Sequence, residues 1–340
     1  MSICFFLLAC HQSPSEQHTR QSATLHYYYW RSTWQPSPFE QTALAQKAGN
    51  PLYLRFFDVD YPPNATQPIP VAPLRLLDSL PVERALIPVV FITNRTFSRL
   101  SPAGVDSLAQ RVTHKLKQML PTATTCHTVQ FDCDWSQQTR ERYFQFLKAF
   151  ARLCPEYRLS ATVRLHQVKF FEHTGTPPVA EGVLMFYNMS DVRASDTQNS
   201  ILDLKAAKGY LKNFDRYPLP LHLALPVFGW GVVQRQGQTV QLLHALSPLA
   251  LQDSLRYQTL GGERYRVRQS HYQQGYYLYK NDVIRLEMPT FAMLEEAVTL
   301  LKPHLRQDPL QVIFYHLDEQ NLRYYGTDAL QTLVNRFTDP

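Results

Sequence analysis

The chain has 340 residues, 44% of them apolar, with 34 Lys+Arg against 28 Asp+Glu and a formal charge of +6. That is enough apolar material for one large core, which excludes disorder over most of the chain, and the positive charge is spread without a Lys/Arg block, which gives nucleic-acid binding little support. Only 12 glycines, with no GxGxxG or GxxxxGK, exclude a glycine-rich phosphate loop, whereas 12% aromatic and 18% charged residues suit a surface that stacks on and hydrogen-bonds to neutral polar ligands such as sugars.

From the N-terminus, residues 3–9 are all apolar and lead into Cys10. Leu7-Leu8-Ala9-Cys10 reads as a lipobox, the signal for lipid attachment to Cys10, followed by a polar tether over 11–24. The expectation is a bacterial cell-envelope protein held to a membrane through lipid alone, since no later run reaches the roughly 18 apolar residues of a membrane helix.

Strands are expected at 25–30, 52–59, 86–92, 128–134, 158–165, 182–188, 219–226 and 311–316, several of them continuous apolar or aromatic runs, as buried parallel strands are. Between them lie amphipathic helices. One spans 101–120, with Ser101 as N-cap and Pro102 at the first helical position. Another spans 137–153, capped by Ser136 and closed by Cys154-Pro155. Three more are expected at 203–214, 291–305 and 327–337. Eight β/α units in one chain predict a (β/α)8 TIM barrel over 25–340. Five prolines in residues 60–73 predict a stiff loop after the second strand. Residues 229–289 interrupt the seventh unit with hairpin text: 232–236 and 239–243 around a Gly237-Gln238 turn, then 276–279 and 283–287 around Lys280-Asn281-Asp282. Cys126, Cys133 and Cys154 have no metal spacing and read as buried thiols, with a Cys126–Cys133 bridge left open.

In such a barrel, function sits at the C-terminal strand ends. Strand four ends Asp132-Cys133-Asp134-Trp135, and the i, i+2 spacing points both carboxylates into the barrel. Two like charges so close split their pKa values, which serves acid/base work or the steadying of an oxocarbenium-like centre. Asp132 and Asp134 are therefore the candidate catalytic residues. Asp58 and Asp60 share the same spacing on strand two. Arg164, His166, Tyr187 and Asn188 are candidate hydrogen-bonding residues for substrate, with Trp30 and Trp230, and less specifically Tyr27 and Trp135, as stacking surfaces. No metal set emerges and no cofactor is expected.

Strands four to seven resemble the chitinase-like barrels of glycoside hydrolase family 18, whose fourth strand ends D-x-x-D-x-D-x-E. Here Val129 to Ser136 occupies that motif. Asp132, Asp134 and Trp135 match, while Val129 replaces the first Asp and Ser136 replaces the final Glu, the family's general acid. Leu159 to Val163 is similar to the family's small-residue fifth strand. Met185-Phe186-Tyr187-Asn188 resembles its M-x-Y-D/N, whose Tyr supports a substrate N-acetyl group. An insertion in the seventh unit is also a family feature. The pattern further resembles bacterial lipoproteins carrying a glycosidase-related barrel. The resemblance implies an ability to act on or bind a β-linked, N-acetylated glycan. Without the Glu, the acid falls to Asp134, Asp58 or Glu287 in a glycosidase, or is missing in a catalytically silent glycan-binding barrel. A third reading, an envelope scaffold docking through Tyr-rich residues 265–279, predicts a plugged mouth and an exposed apolar patch on the insertion.

Overall fold

The computed structural model describes residues 22–338, apart from 82–83, 122–123, 195 and 245. Cys10 and the tether up to residue 21 lie outside the described residues. Eight parallel strands close a barrel: β1 (Ala23–Tyr29), β2 (Leu52–Asp60), β3 (Leu86–Ile92), β4 (Thr128–Asp132), β5 (Arg158–Arg164), β6 (Glu181–Met185), β7 (Leu221–Pro226) and β8 (Leu310–Tyr315). Each pairs with its neighbours in sequence, and β1 pairs with both β8 and β2 to seal the ring. The eight expected strands are all present, with ends moved by up to three residues. Their outward residues, among them Phe57, Phe131 and Phe314, pack under the helices in one continuous core.

The helix caps differ from expectation. Helix Gly104–Met119 begins after Ser101-Pro102, which form the preceding turn instead. Ser136 precedes helix Arg140–Leu153 by a turn, its carbonyl accepting the N–H groups of Thr139 and Arg140. The second unit replaces its helix by the proline-rich segment, whose Ile69–Val71 lies antiparallel to the end of β2. All three described cysteines are free thiols.

Residues Trp230–Glu287 build a five-stranded antiparallel sheet on the barrel top, in the order Gln238–His244, Trp230–Arg235, Val283–Glu287, Arg264–Val267, Tyr257–Gly261. The first hairpin turns at Gln236-Gly237, both with positive φ, one residue earlier than expected. The second expected hairpin does not form. Val283–Glu287 pairs with Trp230–Arg235 and Arg264–Val267, while Tyr276–Leu278 pairs with His271–Gln273. Strand text fixes each segment's type but not its partner.

The bottom of the barrel carries a buried polar cluster. The Tyr53 hydroxyl donates to Gln311 at 2.6 Å, and the Gln311 N–H donates to His222 Nδ1 at 3.1 Å. His26 is sealed between Pro51 O and Thr24 Oγ1, and burial lowers its pKa to about 4. A buried neutral histidine stabilises the fold fully above the unfolded value of 6.5, and that stability is lost as pH falls toward about 4. A His26→Gln variant is therefore expected to lose about 3 kcal/mol less stability than wild type between pH 7 and pH 4, read by urea unfolding. Equal losses in both would refute the assignment.

Candidate functional site

A cleft of about 750 Å³ opens at the C-terminal ends of the barrel strands. Asp58, Asp132, Asp134, Arg164, Tyr187, Asn188, Trp30 and Trp230, eight of the residues singled out from sequence, line it together. The mouth is therefore open, against the plugged one that the scaffold reading predicts. The insertion does expose apolar side chains, Leu249, Leu255 and Tyr272 most of all.

The polar wall is built by register. The inward residues of β4 and β5 meet rung by rung. Gln130 donates to Ser160 Oγ at 3.3 Å, Thr162 donates to Asp132 at 2.6 Å, and Arg164 Nε lies 3.1 Å from Asp134. Below them the Tyr28 hydroxyl donates to Gln130 at 2.7 Å. Asp132 is buried, and its pKa is raised to about 7 by desolvation first and by the neighbouring Asp134 charge second, against the opposing pull of Thr162 and Arg164. Asp134 is half exposed, so the two carboxylates occupy different dielectrics on one strand.

Asp58 faces the cleft because β2 bulges. The register with β3 slips between Arg55 and Phe57, so Phe56 and Phe57 both point outward into the core. Arg55 and Asp58 then share the inward face three residues apart and form a bidentate pair at 2.8 and 2.6 Å. Asp60 does not reach the cleft. Arg95 and Thr93 bind it, and the Arg95 pairing holds its carboxyl below the usual range. Arg31 lines the opposite rim and pairs with Glu40 and with Asp318.

The aromatic wall comes from three segments. Trp30 follows β1, Phe228 and Trp230 follow β7, and Tyr315 ends β8, with ring centroids 5.4–5.5 Å apart between Tyr315 and each of Trp30 and Phe228. Tyr187 packs on Tyr315 at 5.3 Å, and its buried hydroxyl has no hydrogen-bond partner. Such an orphan hydroxyl beside a cleft is a ready partner for a ligand oxygen. Asn188 adopts φ 54°, which turns the chain at the rim.

Besides Asp60, four sequence candidates fall elsewhere. His166 is exposed and outside the cleft wall, because β5 stops at Arg164 and Leu165–Lys169 is a helix. Gln167 makes that stop, accepting the Arg164 N–H at 2.8 Å and donating to Trp135 O at 2.9 Å. Trp135 is core, stacked on Tyr143 at 5.3 Å with its N–H on Thr174 O. Tyr27 is buried against Phe314 on the outer face. Glu287 is fully buried, saturated by Arg285, Ser200 and Trp230, and so is no proton donor to the cleft. Ser136 does not line the cleft either. Sequence reading missed Arg55, Tyr315, His244 and Asn321, which also line it. Only Tyr315 carried a signal, an aromatic residue at the C-terminal end of a strand.

Neither a protein-family model nor a curated protein sequence matches the chain. Solved structures are similar in fold. A chitinase from Chromobacterium violaceum shares 11% identity over 92% of this chain and 99% of its own, with a TM-score of 0.54. The spore cortex-lytic enzyme of Bacillus megaterium shares 14% identity over 93% of this chain and 75% of its own, with a TM-score of 0.55. The chain has the closed TIM barrel of these proteins, with a β-rich addition.

Proposed function

We propose that this barrel binds a β-linked, N-acetylated glycan in its mouth and does not cut it, on a bacterial cell envelope to which lipid on Cys10 tethers it. One observation carries the reading: an aromatic-walled cleft in which every exposed carboxylate already has a cation. Asp58 is held by Arg55, Asp134 by Arg164 and Asp318 by Arg31, while Asp132 lies buried under Thr162. Trp30 and Trp230 supply stacking faces, and Tyr187, Asn188 and Arg164 supply hydrogen bonds. The general acid that the chitinase-like motif places after Trp135 is Ser136, a residue that cannot protonate a leaving oxygen. The fold likeness to a chitinase and a spore cortex-lytic enzyme supports the ligand class.

One observation favours hydrolysis instead. With its pKa raised to about 7, Asp132 is protonated in roughly half of the molecules at neutral pH, the range a general acid works in. A single experiment separates the two readings: titration of the protein with N-acetylglucosamine oligomers, followed by mass analysis of the mixture. The expected result is binding of intact oligomers, weakened about tenfold in Trp30→Ala. Shortened oligomers that vanish with Asp134→Asn would replace the binding reading by the hydrolytic one. No binding at all would overturn both.

A further inference from the structure

The insertion sheet carries a second groove, of about 510 Å³, lined by Gln234, Gln236, Gly237, Arg264, Arg266, Asn281 and Val283. Its position follows from register. Trp230, Val232 and Gln234 alternate onto one face of their strand, opposite Glu287, Arg285 and Val283, and Arg264 and Arg266 lie opposite Arg285 and Val283. The groove is thus on the sheet face that presents Trp230 to the cleft, about 13 Å further along the strand.

Charge on that face does not balance. Arg264 sits directly across from Arg285, and like charges so placed repel. Glu287 neutralises Arg285 alone, at 2.6 Å and fully buried. Among the described residues Arg264 finds no carboxylate, only the neutral Gln234 Oε1, at 3.3 Å. Arg266 is exposed and has no ion pair among the described residues. Of the neighbouring acids, Asp282 is already bound by Nε and Nη2 of Arg235 at 2.9 Å each, and Glu263 accepts the Tyr265 hydroxyl at 3.2 Å. Among the described residues no carboxylate lines the groove.

We infer that this groove binds the carboxylates of an acidic glycan, two guanidinium forks engaging oxyanions while Gln234, Gln236 and Asn281 engage hydroxyls. The inference rests on the glycan reading for its choice of ligand. A lipid surface fits less well, because Val283 is the one apolar side chain of the lining and is not exposed.

The test titrates the full chain with oligogalacturonate and with its methyl-esterified form, which keeps the chain and removes the charge. The acidic form should bind in preference, with an affinity that falls as salt rises. Arg264→Gln and Arg266→Gln should each weaken it about fivefold, leaving the thermal midpoint and N-acetylglucosamine oligomer binding unchanged. Equal binding of acid and ester, no binding of the acid, no effect of either variant, or preferential capture of anionic phospholipid vesicles would each overturn the inference. Because the N-acetylated oligomers report on the cleft through Trp30→Ala, a failure there and a failure here are read separately.

Discussion

Replacing Glu287 by alanine is expected to destabilise the protein by about 4 kcal/mol, because it leaves a buried guanidinium without a counter-charge. Arg285 and Glu287 are 1% and 0% exposed, so water cannot take over the solvation of the orphaned ion. The same carboxylate accepts the Ser200 N–H at 2.9 Å, the Ser200 hydroxyl, and the Trp230 indole N–H at 2.9 Å. Ser200 O in turn accepts the Met189 N–H and Ile201 O the Asn188 N–H. One residue therefore ties the insertion to the rim that follows β6 and fixes the indole in the cleft wall. Removing Arg285 as well should recover part of the loss, with a coupling of at least about 1 kcal/mol in a double-mutant cycle. Urea unfolding reads both quantities. A loss under about 1 kcal/mol for Glu287→Ala, or strict additivity, would show that the carboxylate compensates nothing.

Asp132→Asn is expected to stabilise the protein at pH 8. The carboxyl titrates at about 7 in the folded chain and at 3.8 when unfolded, so folding takes up a proton between those values. Its favourable contribution is complete below 3.8 and is lost as pH rises through about 7, leaving a desolvation cost on the order of 4 kcal/mol at alkaline pH. Asparagine keeps an oxygen for the Thr162 hydroxyl and carries no charge to desolvate. The slope opposes that of His26, whose neutral form is favoured over the range from about 4 to 6.5. Wild type should thus show a flatter stability profile between pH 4 and 7 than either single variant. An Asp132→Asn protein no more stable than wild type at pH 8 would show that the carboxyl is not strained by burial.

The barrel was legible because parallel strands buried on both faces read as unbroken apolar runs, and 86–92 and 219–226 leave little alternative. Asp132 and Asp134 were legible through the strand period of two. That period also places Trp135 on the opposite face, where it packs in the core against Tyr143. Arg55 was hidden, since it is in phase with the inward Tyr53 and reaches the face of Asp58 only through a bulge at Phe56 that no residue type announces. His166 was misplaced because the period changes from 2.0 to 3.6 once Gln167 caps the end of β5. Tyr315, His244 and Asn321 reach the cleft from segments far apart in sequence, and only the closed ring together with the insertion sheet brings them to Asp132. Within the insertion, period-2 text was sufficient for strands and silent on partners, so Val283–Glu287 went to the wrong neighbour.

The insertion leaves the barrel at Trp230 and returns at Glu287, and those two residues face each other across one ladder. Departure and return points a single strand spacing apart mean that the barrel need not deform to carry this crown. A shorter or longer crown, or another sheet altogether, could be spliced between the same two ends and leave all eight staves in register. The fold thus separates what is inherited from what is exchangeable. The floor, with its acid pair, belongs to the barrel, while one wall and the arginine-lined extension belong to a replaceable part. The surface around the mouth can then change with the crown while the ring of staves keeps its register.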